Sequence, residues 1–591
     1  MAPENPSSAE LSEADAAVVD EQFEAALAYH QAGRMAEAET LYRQVLEIDT
    51  EHPGALYLLG GMAYQRGDYP ETFALVERAL REEPDDADAL HLLGLSALQL
   101  GRFAEAVDAI ERALALRPDY PEARHSLDEA LRRLGAQFIQ EGRFADATRC
   151  LRSALDIQPN NFEVLGQLGT LQARQGDFAT ALEFYERALA LQPEHLELIA
   201  NLAAAQQRLG QLEQAVENYR RVVARQPQRA DVYCNLGAAL QQLQDMDPAI
   251  ASYRQALALQ PDLAIAHDFL GSALMAQDKL EEARASFQSA LDLMPERVDI
   301  LCNLGSVLAR LYHLDEAERL FRRALVLQPD YALARTNLGS ALMRLGRQQE
   351  AAQEFERCLE RDPDNAEIRH LLASLRGETT ETAPQNYVKN LFDDYAESFE
   401  QQLVGNLNYR TPALMRAAID RQAEGRADRR FRHALDLGCG TGLGGERIKD
   451  IVDEIRGVDL SPKMLQQAER KGIYRSLHAE DIVEFLERSV REFPLYDLVL
   501  SADVFVYIGN LAPIFHAVRQ ASEAGALFVF SVEDLPQGTY KLLSSGRYAH
   551  SADYIRELAT QHGFIQAHFE QCELRKERET IILGNIFVLT C

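Results

Sequence analysis

The residue types and spacings that could do chemistry lie in the last third of the chain. Ala434 to Leu437 form a short apolar run broken only by Asp436, and glycines follow at 438, 440, 442, 444 and 445. This pattern predicts a buried strand that enters a tight turn and then a helix. Glycine lets the backbone turn sharply and lets a ligand lie against its amides, where a Cβ would stand in the way. Asp459 ends the next apolar run, 21 residues after Gly438, where an acid accepts both hydroxyls of a ribose. Asp481 follows the third run, placed either to accept from the exocyclic amine of a purine or to cap the helix that begins there. Asp503 closes the fourth. Acids at successive strand ends suit a ligand with a ribose and an adenine.

The elements that must position these residues follow from periodicity. Strands are expected at 433–437, 454–458, 474–477, 496–502 and 525–532. Between and after them come helices from 442 and over 462–471, 481–491, 510–522 and 552–562. Two final strands, about 566–574 and 582–590, have no helix between them. Alternation of this kind gives a mostly parallel sheet covered on both faces, with ligands beyond the carboxyl ends of the strands. Two helices, Tyr387 to Leu403 and Pro412 to Arg421, precede the first strand.

Gly440-Thr-Gly-Leu-Gly-Gly445 formally satisfies a dinucleotide pattern, so an NAD(P)-dependent oxidoreductase is one reading. Its register is unfavourable. A pattern begun at Gly438 puts Leu443 at the third glycine, and Asp436 would repel a pyrophosphate. The run Asp436 to Gly442, with Gly457-Val-Asp-Leu-Ser461, instead resembles motif I and the acidic loop of class I S-adenosylmethionine-dependent methyltransferases. The similarity extends over about Tyr387 to Cys591. It implies a Rossmann-like, seven-stranded domain whose last strand is inserted antiparallel, with S-adenosyl-L-methionine as cofactor. By that resemblance Asp436 faces the cationic methionine end, and Gly438, Cys439, Gly440 and Gly442 form the turn against which the cofactor lies. Asp459 binds the ribose, Leu460, Ser461 and Met464 border the adenine, and Asp481 and Ile482 hold its edge. Leu391 to Phe399 resembles the lid helix of the small-molecule-type branch, in which Tyr395 meets the cofactor.

Methyl transfer needs a nucleophile held in line with the donor and little else beyond a base. Asp503, Tyr507 and His550 are the catalytic candidates, with Arg547 close by in sequence. Tyr507 reads equally as core, and His550 as a loop residue ahead of an N-cap at Ser551. The domain has no Asp/Asn-Pro-Pro-Tyr after its fourth strand, no Pro-Cys nucleophile and no paired glutamates. These absences argue against base or glutamine amines, cytosine C5 and arginine as acceptors. The acceptor itself stays open.

The first two thirds are repetitive. Prolines recur from 84 to 363 at intervals of 34 residues with one exception, and a fixed period means a solenoid. In one unit Tyr233, Leu236, Gly237 and Leu240 share a face of a first helix, Ala249, Tyr253 and Ala256 share a face of a second, and Pro261 closes it. The grammar resembles the tetratricopeptide repeat (TPR) family. It predicts about ten units over residues 20–376, ended by a polar capping helix from Asn365 to Leu375. The seven extra residues between Pro118 and Pro159 equal about two helical turns. They read as a lengthened first helix, Glu122 to Gln140, or as a broken repeat. The fold class is thus α plus α/β: an all-α TPR solenoid, or superhelix, followed by the methyltransferase-type domain.

The TPR resemblance implies a protein or peptide partner in a groove lined by first helices. Asn201, Asn235, Asn303 and Asn337 occupy one position in their units. There they would either bind the amides of an extended peptide or bridge neighbouring helices. Lys279 is the one lysine of the array, so a lysine-rich clamp for a carboxyl terminus is missing.

Net charge is −32, of which −24 falls on the first 376 residues. Such acidity disfavours nucleic acid as a partner. The seven cysteines show no metal-ligand or disulfide spacing. No apolar run approaches the ~20 residues of a membrane span. Residues 1–19 read as a disordered lead-in, 377–386 as a linker and 387–591 as the catalytic domain, in a cytoplasmic protein. The best overall resemblance is to predicted bacterial methyltransferases with TPR repeats. The competing reading is a TPR adaptor whose methyltransferase-like domain binds cofactor without catalysis.

Overall fold

The structure, a computed structural model, describes residues 12–396, 399–400, 409–423, 430–577 and 580–591. The chain divides into two compact units, residues 1–261 and 262–591. The division does not fall where the repeats end.

The first unit holds seven helical hairpins. Its first helix, Glu13–Gln31, is N-capped by Ser12. Residues 13–19 therefore belong to a repeat and not to a disordered lead-in; a cap and Val19, buried on the inner face, extend the helix beyond the periodic signal. Pro121–Gln140, at 20 residues, is the lengthened first helix, and the repeat is not broken. In the unit used above, Ala249, Tyr253 and Ala256 are fully buried. A Cβ on Gly237 would lie 2.6 Å from the Tyr253 ring, so glycine on the first helix makes room for the aromatic of the second.

The second unit begins with three more hairpins, from Ala264–Ala276 to Gln348–Leu359, and a capping helix, Ala366–Arg376, with Asn365 as N-cap. Helix Gln385–Tyr395 and helix Thr411–Ala423 lead into a nine-stranded sheet. Its strands are β1 (Phe431–Leu437), β2 (Val452–Asp459), β3 (Ser476–Ala479), β4 (Tyr496–Ser501), β5 (Ser522–Asp534), β6 (Tyr540–Leu542), β7 (Tyr548–His550), β8 (Ile565–Glu577) and β9 (Thr580–Thr590). β3, β2, β1, β4 and β5 are parallel neighbours in that order. β9 runs antiparallel between β5 and β8. These are the seven expected strands. β6 and β7 are additional, a short hairpin attached through Glu533 and Asp534 to the tip of β5. Leu435, Leu437, Val499, Phe528 and Phe530 form the core of one face of the sheet with Phe485 and Phe515 from covering helices. Alternate residues such as Ala434, Leu498 and Val529 face the other layer.

The stretch expected as a linker is bound along its length. Glu381 O accepts from the amides of Gly509 (2.9 Å) and Asn510 (2.8 Å), and Ala383 N donates to Tyr507 O (3.0 Å). Thr382 makes an antiparallel bridge with Ile508. Thr379 Oγ1 accepts from the Leu542 amide at 3.3 Å, and the Thr380 and Tyr548 hydroxyls share a hydrogen bond. From the capping helix, buried His370 donates through Nε2 to Gly546 O (3.2 Å). Ala373, Ala383, Leu542 and Tyr548 close a small apolar cluster around this joint. The last repeat helix, the strap Thr379–Ala383 and the β6–β7 hairpin are one packed body.

Candidate functional site

Because β1 is central, the turn after it opens at the carboxyl end of the sheet. The amides of Gly438 and Cys439 both donate to Val458 O, at 2.8 and 3.0 Å, which fastens the turn to the end of β2. Gly438 has φ +65, and a Cβ there would lie 2.8 Å from Val504 Cγ1. Only glycine meets both conditions.

Asp459, at the end of β2, accepts from Gly440 N through Oδ2 (2.9 Å) and from Ser461 N through Oδ1 (2.8 Å). Asp436, 1% exposed, accepts through Oδ2 from the Tyr474 hydroxyl (2.6 Å) and Gly445 N (3.1 Å). Burial pushes the Asp436 carboxyl up to about 7, against the pull of those two donors. Burial also raises Asp459, whose amide donors oppose it. Two acids at adjacent strand ends therefore hold protons more firmly than free carboxylates do. A cation between them would reverse that.

One cavity of about 530 Å³ collects most of the residues expected from sequence. Asp436, Gly438, Cys439, Gly440, Asp459, Leu460, Asp481, Ile482, Asp503, Tyr507 and Arg547 all line it. Asp481 also caps helix Ile482–Glu492 through Oδ1, to Val483 N (2.8 Å) and Glu484 N (3.3 Å), and its Oδ2 accepts from Gln385 Nε2 at 3.0 Å. The cap and the cavity readings of Asp481 both hold.

Four expected residues stand outside the lining. Ser461 caps helix Pro462–Arg470 and donates to Asp393 Oδ1 at 2.6 Å, and Met464 is fully buried behind it. Gly442, at φ +88, faces the Tyr474 ring, 3.0 Å from where its Cβ would be. His550 is a correction: it is fully buried away from the cavity, and its Nε2 donates to Gly509 O at 3.0 Å. Burial lowers it to about 4, so it is a neutral structural group. The side chain of Tyr395 lies outside the described residues.

Sequence reasoning missed the partners of Asp503. This residue adopts φ +57, a strained conformation for a residue with a side chain. Its Oδ1 accepts from Ser531 Oγ (2.8 Å), and its Oδ2 from Thr411 Oγ1 and Arg575 Nη1, both at 3.4 Å. Arg575 also pairs with buried Glu533, which lies 3.6 Å from Arg547. Tyr409 joins the same end of the cavity; burial and then the Asp503 charge push its hydroxyl well above the usual tyrosine range. Tyr507 meets the Phe392 ring edge-on at 5.3 Å. A wall of the cavity comes from Glu381, Thr382 and Ala383 of the strap and from Gln385, the first residue of the next helix. No periodicity marks any of these residues; only Tyr409, among polar neighbours, stands out by type.

Of the repeat asparagines, Asn303 donates to Asp268 Oδ1 (3.3 Å) and Asn337 to Ser306 Oγ (3.1 Å). Both reach the preceding first helix, as in the bridging reading. Asn235 is exposed. Asn201 lines a second cavity of about 370 Å³ in the first unit, with Ile139, Phe162 and Leu198. Among the described residues no cluster of metal-binding side chains occurs, and no helix is long and apolar enough to cross a membrane.

Comparison with known proteins separates the repeats from the sheet domain. Residues 435–528 match the family model described as a methyltransferase domain. Tetratricopeptide repeat models match residues 23–74, 302–366, 172–233 and 230–263, a TPR repeat model matches 271–311, and the cytochrome c-type biogenesis protein H TPR domain matches 71–195. The chain thus joins TPR repeats to a methyltransferase-like domain. None of the curated proteins matches it. Among solved structures it is similar to MamA, at 25% identity over 27% of this chain and 94% of that one, TM-score 0.26. A tetratricopeptide repeat protein from Parabacteroides merdae ATCC 43184 is 20% identical over 42% and 99%, TM-score 0.34. YrrB, a TPR protein with an unusual peptide-binding site, is 20% identical over 31% and 95%, TM-score 0.28.

Proposed function

We propose that this protein is an S-adenosylmethionine-dependent methyltransferase whose repeat array recruits a protein or peptide, as substrate or as tether. The observation that carries the reading is the pair of acids, buried Asp436 and half-buried Asp459, facing one cavity across a glycine turn. Both are raised by burial, which suits a cationic nucleoside better than an anionic dinucleotide. The residues present fit the cofactor. Gly440 has open space beside it, with Phe399 4.0 Å from where a Cβ would sit, so a ligand can lie against the turn. Leu460, Ile482 and Val483 give an apolar slot between Asp459 and Asp481.

When bound, S-adenosylmethionine supplies a methyl group on a positively charged sulfur, which a nucleophile takes as the S–C electron pair returns to sulfur. The protein's part is to bind and orient. Asp459 would hold the ribose and Asp481 the purine edge; backbone amides fix both oxygens of Asp459 and one of Asp481, so that their remaining lone pairs keep a fixed direction. Asp503, Tyr507 and Arg547 line the other end, where the acceptor would sit. The strap and helix Gln385–Tyr395 supply one wall of the site, tied to it through Gln385 and Asp481.

Calorimetric titration of the full chain tests this. Saturable S-adenosylmethionine binding is expected, lost in Asp459→Ala. Absence of binding at about millimolar cofactor would overturn the reading. Transfer of labelled methyl to a component of a cell extract then separates an enzyme from an adaptor, and competition with reduced nicotinamide cofactor separates it from an oxidoreductase.

A further inference from the structure

Helix Gln385–Tyr395 is fastened at two points to the segments that follow β2 and β3. At its first residue, Gln385 Nε2 donates to Asp481 Oδ2 at 3.0 Å. About two turns further on, Asp393 Oδ1 accepts from Ser461 Oγ at 2.6 Å. Between these ties, Val388, Leu391 and Phe392 line the cavity, and Gln385 belongs to the same stripe, at spacings of three and four residues. Leu460, Ile482 and Val483 line that cavity from the segments to which the helix is tied.

Gln385 is the polar member of the stripe, and its carboxamide has a fixed sense. A carboxylate only accepts, so the NH₂ group must face Asp481 and Oε1 must turn away from it. The side chain is exposed, and no donor among the described residues reaches Oε1. Asp481 is fixed from its other side, where Oδ1 accepts from the amides of Val483 (2.8 Å) and Glu484 (3.3 Å). Its Oδ2, with Gln385 as donor, keeps a lone pair. The two side chains thus offer two acceptors at one edge of the cavity. A primary amino group on an aromatic ring, with two N–H donors, matches them. A keto oxygen in its place would meet acceptors on both sides. The carboxamide cannot turn over to help it without setting Oε1 against the Asp481 carboxylate.

We propose that Gln385 is a specificity-determining residue for the methyl donor: together with Asp481 it reads the exocyclic amino group of the adenine. This rests on the cofactor reading above. The purine site is then completed by the segment that joins the repeats to the sheet. The strap ends at Ala383, two residues before Gln385, and Ala383 N donates to Tyr507 O while Glu381 O accepts from Gly509 N. The strap's bonds therefore help to set where the carboxamide stands.

The test is calorimetry on the full chain with S-adenosylhomocysteine and S-inosylhomocysteine, which differ in having an amino group or a keto oxygen on the purine. Wild type is expected to favour the amino ligand by at least ~30-fold, because the keto ligand leaves both acceptors unpaired. Gln385→Met keeps the length of the side chain and removes its donor and its acceptor. It should weaken the amino ligand about five- to tenfold and the keto ligand less than about twofold, with an unchanged urea midpoint, since the side chain is exposed. A residue that merely tethers the helix would cost both ligands alike, and an equal loss would overturn the proposal. So would wild-type affinities within about threefold of each other, or an amino-ligand affinity that Gln385→Met leaves unaltered. If neither ligand binds at about millimolar concentration, the cofactor reading itself falls. If both bind and the variant does not separate them, only this proposal does.

Discussion

Cutting the chain at residue 387, where the sequence alone would start the catalytic domain, is expected to damage the site. Removal of residues 1–386 takes away the strap and the capping helix. The bonds lost are Glu381 O to two amides, Ala383 N to Tyr507 O, Thr379 to Leu542, Thr380 to Tyr548 and His370 to Gly546. At about 1 kcal/mol each, these six contribute roughly 6 kcal/mol, within the whole stability range of a typical domain, ~5–15 kcal/mol. The apolar cluster around Ala383, Leu542 and Tyr548 adds to this. Four lining residues of the cavity go as well. The assay compares the full chain with chains starting at 262 and at 387, by urea unfolding followed by circular dichroism and by titration with S-adenosylmethionine. Residues 262–591, which keep a compact unit intact, should match the full chain in affinity within about twofold. Residues 387–591 should unfold at markedly lower urea and bind at least ~10-fold more weakly. Equal stability and affinity of the shortest chain would refute the reasoning.

Other outcomes follow from the buried groups. Asp436→Asn should stabilise the ligand-free protein: with the folded carboxyl near 7 and its ordinary value 3.8, wild type loses about 1.4 kcal/mol per pH unit between those values. The variant's advantage should therefore be only about 1–2 kcal/mol at pH 5 and about 4 kcal/mol at pH 8, read from urea midpoints. His550 is held neutral, about 4 against 6.5. The stability it secures is complete above 6.5 and falls by about 3 kcal/mol as pH drops through 4; His550→Gln should flatten that acid limb and leave methyl transfer near neutral pH unchanged. Asp503→Asn suits the left-handed backbone and should fold normally, while kcat/KM for the acceptor falls by about 10²-fold through loss of the anion that Arg575 and Thr411 orient.

What sequence could disclose depended on the kind of interaction. The seven long strands and the ten hairpins obey periodicities of 2, 3.6 and 34, so their elements fall within a few residues of expectation, the lengthened helix at 121–140 included. Asp436, Asp459, Asp481 and Asp503 were legible because each lies within two residues of the carboxyl end of a strand. The strap was not: it is held mostly through backbone groups, and Glu378 to Gln385 are polar with a proline, as a free linker would be. β6 and β7, three residues each, are too short to show alternation. Tyr474, Glu533 and Arg575 act through partners dozens of residues away. His550 sits among serines and reads as a loop residue, yet tertiary packing buries it completely.

The ring of Tyr474 also bears on how this motif can vary among relatives. Gly442 and Gly445 are small because a tyrosine occupies the space beside them, whereas Gly457 is crowded first by Cys439 and Leu477, each 2.8 Å from where its Cβ would stand. The constraint is thus partly internal to the protein and would exist with no ligand at all. In relatives where position 474 carries a small residue, alanine or serine becomes acceptable at 445, but not at 457, where Cys439 and Leu477 still crowd the backbone, and less so at 442, whose left-handed backbone still favours glycine. Gly445 should therefore change together with position 474 over evolutionary time, whereas Gly438, Gly440 and Gly457 should not follow it.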